Sequence, residues 1–467
     1  MGVENTCASA ENATITNMAV GADIVKEDDY LSTQKQEKKD DVCETTNESL
    51  SESVPRQSVD TVDESQELIA VVDKSQEERD DIVGKPRLEV DFLNHMVSIS
   101  RSQNMPKSLK KKKKKKPWRW LVVRKSIVGL QEIIEREADA GQLQLQAVPQ
   151  AFIRPPHDRP PIGALQEQQL PVIDISGLQE PILRPIVLQQ IAHACANWGF
   201  FQVVNHGVED EVVQEMRAVC WRFFNQPASE RNKLRGWENE LPVGYTTSFN
   251  PAVESTRDWK DVLYVRDVPG VCCNGFDLVP EICREAFQLY RSGVDRLGKL
   301  LFESIFESLG VSKASIKEKV PAAARLVMGV NFYPPCPDPS LTYGISPHSD
   351  VGYVTVLLQD EVAGLQIKKG ENWYLVKPLP NAFVINLADQ IEILSNGKYK
   401  SIEHRAITNA EKPRISVACF FGPWNDAIIE PLSELTSENE PARYKAVKYG
   451  DYVRNFYSNS LRPNRGL

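Results

Sequence analysis

Three side chains, two of them close together in the sequence and one distant, are of the types that bind one transition metal ion. His348 and Asp350 are separated by a single residue, and His404 follows much later in the chain. In an extended strand alternate side chains point the same way, so His348 and Asp350 reach one ion while Ser349 points away. The fold must therefore bring a distant strand carrying His404 against the strand that carries the other two.

The segment 399–408 around His404 has the β-branched and aromatic content that is typical of such a strand. Two imidazoles and one carboxylate on one face of an ion, with the other face open, form the facial triad of non-heme Fe(II) oxygenases. The same ligand types also bind zinc. The three residues alone therefore predict a metal site and leave iron and zinc as alternatives.

Arginine and serine stand two residues apart a little beyond His404. Arg414 presents five donors in a planar fork, and Ser416 presents its hydroxyl on the same face of the same strand. Together they suit the distal carboxylate of a 2-oxo acid. Taken alone, Arg414 is interpreted as a surface strand residue with a structural ion pair. Its combination with the three metal-binding residues favours iron over zinc and predicts a 2-oxo acid cosubstrate.

Short motifs occur in order between about Leu170 and Pro463. They are Pro171–Ile175, Trp198–Gly207, Asn331–Pro337, Gly344–Asp350, Gly364–Gln366, Ser395–His404 and Arg414–Ser416. In this order they resemble the plant-type 2-oxoglutarate and Fe(II)-dependent dioxygenases. The chain departs from the family pattern at Asn386-Leu-Ala-Asp389, where relatives more often carry Asn-Ile-Gly-Asp. We expect Ala388 to be tolerated there unless the position needs a positive φ.

The resemblance implies an α+β fold with a mainly β core, a double-stranded β-helix (jelly roll) with flanking helices. It implies Fe(2+) as the metal, 2-oxoglutarate and O2 as cosubstrates, and ascorbate as a reductant, with no catalytic side chain beyond the metal centre. The implied iron ligands are His348, Asp350 and His404. The implied cosubstrate-binding residues are Arg414 and Ser416 for the far carboxylate, Tyr333 through its hydroxyl, and Asn331 close by.

Four aromatic residues are candidates for an apolar pocket that accepts a flat substrate. They are Tyr245, Phe249, Phe332 and Phe420; the alternative is that they only fill the core. The runs Trp259–Asp261, Leu357–Glu361 and Tyr449–Val453 look most like the branch that ortho-hydroxylates hydroxycinnamoyl-CoA thioesters. The same runs also occur in branches acting on jasmonate-like acids, flavonoids and alkaloids. The resemblance thus implies hydroxylation of a small aromatic plant metabolite.

Two other classes of function remain open. One is a catalytically silent relative that binds a hormone or metabolite, which the intact metal and cosubstrate residues disfavour. The other is a scaffold whose function lies in the N-terminal tail. We expect a small-molecule substrate, a monomer, and neither a nucleic-acid partner nor a transmembrane segment.

The first part of the chain differs in composition from the rest. Residues 1–117 are rich in charged and polar residues and end in seven consecutive lysines, Lys110–Lys116. Such a segment buries too little apolar surface to offset its ordering entropy, so we predict a disordered extension. The net charge of −9 owes much to it. The remaining predicted regions are an N-terminal part of the enzyme (118–324), the jelly-roll core (325–425), and a C-terminal helix and tail (426–467).

Cysteine usage and targeting signals bear on the cellular compartment. The nine cysteines form no C-x-x-C pair, which fits a reducing compartment and a cytoplasmic enzyme. The lysine run is a solvated linker, a nuclear-import signal or a nucleic-acid patch. Gly2 lies in a loose N-myristoylation pattern. We interpret Cys336 as a small buried hydrophobic residue rather than a metal ligand.

Residue spacing predicts the regular elements. Helices are expected at Ser126–Ala138, Leu183–Trp198, Glu209–Asn225, Pro280–Leu309, Ser312–Lys319 and Ala446–Ser458, and strands at Leu170–Ile175 and Phe200–Asn205, followed by β-rich runs over Arg325–Phe421. The last helix offers an apolar face that would close over the barrel mouth. His206, before a glycine, is predicted to be structural.

Overall fold

The structure is a computed structural model of the chain. It describes residues 129–139, 145–161, 166–236, 242–247, 254–267, 275–322 and 325–458. The predicted disordered segment, the lysine run, Gly2 and Phe249 lie outside these residues. The domain boundaries at residues 117, 324 and 425 stay predictions.

Eight α-helices form in the described residues. They are α1 (Leu130–Asp139), α2 (Arg184–Asn197), α3 (Asp210–Phe224), α4 (Ala228–Arg231), α5 (Glu281–Ser308), α6 (Lys313–Lys319), α7 (Asp389–Leu394) and α8 (Tyr449–Ser458). The last helix begins later than predicted because Val447 and Lys448 form a short strand instead. None of these helices combines the length and the apolar character that crossing a bilayer requires.

Fifteen strands are described. They are β1 (Gln166–Gln168), β2 (Val172–Asp174), β3 (Phe200–Val204), β4 (Val243–Thr246), β5 (Asp261–Arg266), β6 (Arg325–Tyr333), β7 (Tyr343–His348), β8 (Val354–Gln359), β9 (Leu365–Lys369), β10 (Asn372–Val376), β11 (Phe383–Leu387), β12 (His404–Ile407), β13 (Arg414–Gly422), β14 (Ile428–Ile429) and β15 (Val447–Lys448).

Two main sheets make up the β core. The eight-stranded sheet has the order β2-β3-β11-β8-β13-β6-β5-β4, and the five-stranded sheet has the order β1-β10-β9-β12-β7. Strands β14 and β15 form a separate pair. This arrangement confirms the predicted jelly roll with flanking helices. The larger sheet extends beyond the predicted core, because β2 to β5 precede residue 325 and supply hydrogen-bonding partners on both of its sides.

The two faces of the larger sheet serve different purposes. Alternate residues of β6 and β13 point to opposite faces, so that Gly329, Asn331 and Tyr333 line a cavity toward the smaller sheet. The intervening residues Val330 and Phe332 belong to the main hydrophobic core instead. This core also takes the buried faces of α2, α3 and α5. The helices thus cover one face of the sheet and leave the other for the cavity.

Close packing between α5 and β13 depends on a glycine. A Cβ atom at Gly298 would overlap the ring of Phe421, and both residues are buried. We expect Gly298→Ala to lower the free energy of unfolding by about 1–3 kcal/mol, the usual cost of overpacking a core. Chemical denaturation measures this change. The neighbouring exposed residue provides the control: Lys299→Ala should shift stability by no more than about 0.5 kcal/mol, and equal effects would contradict the packing argument.

The described cysteines are unpaired. Cys195, Cys220, Cys283, Cys336 and Cys419 are all free and buried. Burial raises the pKa of the Cys336 thiol to about 11, and the residue packs in a small apolar cluster with Phe152 and Trp259. This confirms its predicted role as a small hydrophobic residue.

Candidate metal centre and cosubstrate site

The three predicted metal ligands come together at one wall of the cavity. Strand β7 ends at His348, and β12 begins at His404, which pairs directly opposite His348 across the two strands. Asp350 Oδ1 lies 3.9 Å from His348 Nε2 and 3.7 Å from His404 Nε2. One ligand atom from each residue lies within 4.8 Å of the others. The pairing of distant strands thus produces the cluster that the residue types predicted.

Backbone carbonyls orient both imidazole rings. His348 Nδ1 donates to Ser346 O at 2.8 Å, and His404 Nδ1 donates to Ile402 O at 3.1 Å. A carbonyl oxygen only accepts, so each Nδ1 carries a hydrogen, and in a neutral ring Nε2 is then the nitrogen with the lone pair. Burial, followed by the neighbouring His404, lowers the pKa of His348 well below its usual value. Burial thus favours the neutral form of His348, and in the neutral form each ring turns the lone pair of Nε2 toward Asp350, as metal binding requires.

Asp350 uses its two oxygens differently. Oδ2 accepts hydrogen bonds from Thr355 Oγ1 at 2.6 Å and from Asn386 Nδ2 at 2.8 Å, so Oδ1 faces the imidazoles. Burial by itself would raise the pKa of Asp350. The two histidines and the two hydrogen bonds outweigh it, and the pKa is lowered overall. The carboxylate is therefore ionised and aimed, as a metal ligand must be.

This donor set fits a divalent transition metal. Two imidazole nitrogens and one carboxylate oxygen approach from the same side, and the opposite side opens into the cavity that these residues line. That is the arrangement of a facial triad with positions left for other ligands. All three side chains are largely buried.

The hydroxyl of Thr355 provides a test of the support around Asp350. Thr355→Val keeps the side-chain shape but removes the donor to Oδ2, so we expect about 10- to 100-fold weaker metal binding. Titration of the metal-free protein with Fe(II) under anaerobic conditions measures the change. Thr342→Val is the control, because this buried hydroxyl bonds the carbonyl of Tyr343 and not a metal ligand. Equal affinities in all three proteins would show that the hydrogen bond does not support the site.

The predicted cosubstrate residues lie together at the cavity wall formed by β6 and β13. Arg414 pairs with Tyr333, and Ser416 pairs with Asn331, in the register of these strands. All four side chains line the cavity that the metal-ligand cluster also lines. The register of two antiparallel strands thus gathers residues from separate motifs into one group of hydrogen-bond donors.

Arg414 is buried rather than a surface residue, with 4% of its area exposed. Its Nε donates to Val362 O at 3.0 Å and its Nη2 to Gln359 Oε1 at 2.8 Å. The guanidinium carbon lies 5.1 Å from the centre of the Tyr333 ring. These contacts fix the plane of the guanidinium, so the ordering cost of binding a carboxylate there is small.

The predicted aromatic pocket is only partly realised. Phe420 lines the cavity, whereas Tyr245 and Phe332 do not. Phe332 alternates with Asn331 and Tyr333 on β6, so its ring turns to the opposite face and stacks on Phe224 at 5.0 Å. Tyr245 lies on the edge strand β4, where its hydroxyl donates to Asp261 Oδ2 at 2.8 Å. Both residues belong to the core, the alternative considered above.

Other apolar residues take their place in the lining. They are Phe200, Tyr264, Ile345, Leu357 and Leu365. Side chains alternate between the two faces of a strand, so a position for Asn331 at the cavity already predicts that Phe332 points away from it. Tyr264 reaches the lining because it lies opposite Gly329 in the register of β5 and β6. A local sequence pattern does not reveal this pairing.

A buried carboxylate connects the last helix to the metal-ligand turn. Asp389 Oδ2 accepts from Tyr452 on α8 at 2.7 Å and from Ser349 at 3.2 Å. Burial raises the pKa of Asp389 to about 6. In the sequence, Asp389 stands out only as the last residue of the Asn386–Asp389 motif. The preceding Ala388 has φ −110°, which confirms that a methyl group is tolerated there.

His206 lies apart from this cluster. Its Nδ1 accepts from Val208 N at 3.2 Å, and its ring packs edge-on against Phe383 with centroids 4.6 Å apart. These contacts agree with the predicted structural role.

A jelly roll with two histidines and one aspartate facing an open cavity, and a buried arginine in the same lining, defines a non-heme Fe(II) oxygenase. Residues 324–423 match the 2OG-Fe(II) oxygenase superfamily, and residues 170–272 match the non-haem dioxygenase in morphine synthesis N-terminal family. Protein DMR6-LIKE OXYGENASE 2 of Arabidopsis thaliana is 39% identical over 319 residues, which cover 67% of this chain and 91% of that protein. The chain belongs to the 2OG-Fe(II) oxygenase superfamily.

Two further proteins are similar to this chain. Feruloyl CoA ortho-hydroxylase F6H1-2 of Ipomoea batatas is 40% identical over 328 residues, covering 68% of this chain and 88% of that protein. The crystal structure of JOX2 in complex with 2OG, Fe and JA is 34% identical with a TM-score of 0.62, covering 71% of this chain and 94% of that chain. Membership confirms the resemblance described above. The protein is an oxidoreductase of a family that uses Fe(2+), 2-oxoglutarate and O2.

Proposed function

We propose that this dioxygenase hydroxylates a small aromatic plant metabolite, with a hydroxycinnamoyl-CoA thioester as the first candidate substrate. One observation supports the reaction type: the cluster of His348, Asp350 and His404 shares a cavity with the buried guanidinium of Arg414. The similarity to a feruloyl CoA ortho-hydroxylase supports the substrate class. The expected reaction is hydroxylation of the substrate's aromatic ring at the position ortho to its acyl chain.

The predicted site residues of the cavity have the following proposed roles. The cluster of His348, Asp350 and His404 holds Fe(2+). Arg414 and Ser416 bind the far carboxylate of 2-oxoglutarate, Tyr333 adds its hydroxyl, and Asn331 donates from its amide. With O2, the bound iron and 2-oxoglutarate supply an oxidation that places one oxygen atom on the substrate and the other in succinate, with release of CO2.

The protein's own contribution is orientation and exclusion of water. The guanidinium of Arg414 is already fixed by two hydrogen bonds, so the cosubstrate carboxylate meets a prepared partner. Burial raises the pKa of Tyr333, so its phenol remains protonated and can donate to a carboxylate. No side chain beyond the metal centre is proposed to exchange a proton with the substrate.

Apolar walls complete the site. Phe200, Tyr264 and Phe420 line the cavity together with the metal ligands. Aromatic edges and faces of this kind orient a flat ring and exclude water from the reacting carbon. This lining supports an aromatic substrate.

A second candidate is a jasmonate-like acid, because a similar crystal structure contains JA. Flavonoids and alkaloids are further candidates within the same reaction class. A catalytically silent binding protein is the alternative from another class. The complete set of metal-ligand and cosubstrate-binding residues argues against a catalytically silent protein.

A substrate screen on the purified full chain tests the proposal. Fe(II), 2-oxoglutarate and ascorbate are supplied with feruloyl-CoA, coumaroyl-CoA, free ferulate or jasmonate, and products are followed by mass spectrometry. We expect a mass gain of one oxygen on a CoA thioester with an equal amount of succinate. Product from jasmonate alone would overturn the substrate class. Binding of 2-oxoglutarate without succinate release from any compound would favour the silent alternative.

We further propose a monomeric enzyme with a small-molecule substrate and no nucleic-acid partner, present in the cytoplasm or the nucleus. The unpaired described cysteines support a reducing compartment. Light scattering of the purified chain determines the oligomeric state.

A further inference from the structure

A fully buried lysine lies behind the cosubstrate residues. Lys260 precedes strand β5 and is 0% exposed. Its Nζ donates to Asn331 Oδ1 at 3.0 Å, and Asn331 lines the cavity. Burial of an ammonium group is unfavourable unless hydrogen bonds and opposite charge offset it. The position therefore suggests a role besides packing.

The contacts of Asn331 determine which end of its amide faces which neighbour. An ammonium group only donates, so the amide oxygen must face Lys260. On the other side Asn331 Nδ2 approaches the carbonyl of Gly329 at 3.4 Å, and a carbonyl only accepts. Both neighbours require the same orientation of the amide. The amide NH2 therefore remains the group that Asn331 offers to a ligand.

This orientation matters for binding an anion. Arg414, Ser416 and Tyr333 share the cavity lining with Asn331, and all three can donate to a carboxylate. A flipped Asn331 would present a carbonyl oxygen to the same anion and repel it. Lys260 prevents the flip, and its charge adds attraction in a site of low dielectric constant.

Charged groups around Lys260 define its electrostatic environment. Burial lowers the pKa of Lys260 to about 8, against the opposing effects of Asp258 and Glu254. Asp258 is itself paired with Arg154. The charge of Lys260 also contributes to the lowered pKa of His348, after burial and His404. Lys260 is thus charged at neutral pH and acts on the same region as the metal ligands.

We propose that Lys260 is a positioning residue for 2-oxoglutarate, because it orients the amide of Asn331 as a donor and places a buried positive charge behind it. This inference rests on the proposed roles of the cosubstrate residues. Lys260 does not touch the reacting atoms. Its effect should therefore appear in the affinity for 2-oxoglutarate rather than in the rate at saturation.

Calorimetric titration of the anaerobic, Fe(II)-loaded full chain with 2-oxoglutarate tests the proposal. Lys260→Met keeps much of the side-chain length and removes the charge, and we expect the Kd to rise about tenfold through loss of one charge-assisted hydrogen bond. In the unmodified protein the affinity should fall as pH rises through about 8, since the neutral amine no longer requires the amide oxygen. Lys260→Met should lose this pH dependence. An unchanged Kd and pH profile would overturn the proposal.

A second variant separates positioning from structural support. Lys260→Arg keeps a donor and a charge that does not titrate in this range, so it should bind 2-oxoglutarate more tightly than Lys260→Met and without a transition near pH 8. Lys368→Met is the matched control, because Lys368 pairs with Glu403 and should leave the Kd unchanged. If Lys260→Met fails to fold, the proposal is tested by the pH dependence of 2-oxoglutarate affinity in the unmodified protein and in Lys260→Arg. Failure of the unmodified protein to bind 2-oxoglutarate would instead refute the proposed function.

Discussion

Asp350→Ala is expected to abolish turnover and to leave a protein that does not retain Fe(II). Asp350 Oδ1 is the one anionic donor in the cluster, 3.7 and 3.9 Å from the two imidazole nitrogens. Without it two neutral ligands remain, and the charge of the ion is no longer balanced at a buried site. His348→Ala should have the same result, because it removes one of the three ligands.

Two measurements check this expectation. Metal analysis after anaerobic loading should find about one iron per unmodified chain and background levels in Asp350→Ala, and succinate release should fall to background as well. Asp350→Ala also leaves Thr355 and Asn386 without their shared acceptor, so Asp350→Asn is included as the variant of similar shape. His206→Gln is the control for loss of a histidine away from the cluster. Full iron content in Asp350→Ala would place the metal elsewhere.

Arg414→Ala is expected to raise the concentration of 2-oxoglutarate that the enzyme requires. The guanidinium should form charge-assisted hydrogen bonds with the distal carboxylate, and loss of about 1.5–3 kcal/mol corresponds to about a 10- to 150-fold weaker Kd. The rate at saturating cosubstrate should change far less, because this carboxylate lies away from the reacting atoms. Steady-state kinetics over a range of 2-oxoglutarate concentrations separates the two effects.

The structural role of Arg414 requires its own controls. The side chain also bonds Val362 O and Gln359 Oε1, so Arg414→Ala should lower the melting temperature. Arg414→Lys keeps the charge but not the planar fork and should be intermediate in affinity. Arg231→Lys alters an arginine of comparable burial that bonds Glu135, and it should destabilise the protein without changing cosubstrate affinity. An Arg414→Ala enzyme with an unchanged requirement for 2-oxoglutarate would contradict the proposed role of Arg414 in binding the distal carboxylate.

Local sequence patterns were sufficient for six of the eight described helices and for the general fold. The short helices α4 and α7 were not predicted, and α7 lies within the segment predicted to be β-rich. The spacing of apolar residues in α3 and α5 reflects one buried face per helix, which is a property of consecutive residues. The end of α8 agrees with its prediction, while its start is displaced because Val447 pairs with Ile429 across β14 and β15. Such pairing depends on a segment distant in the sequence, so a periodic pattern does not reveal it.

Residue types and their spacing were enough to predict the chemistry: metal ligands at His348, Asp350 and His404, an arginine suited to a carboxylate, and the family that has them. The neighbours that these groups contact could be read only from the folded chain. The register of β6 and β13 turned Phe332 away and Phe420 inward, and the chain path placed Lys260 against Asn331 and Tyr452 against Asp389. The physical reason is that side-chain type and alternation are local properties, whereas register and burial depend on the packing of the whole chain.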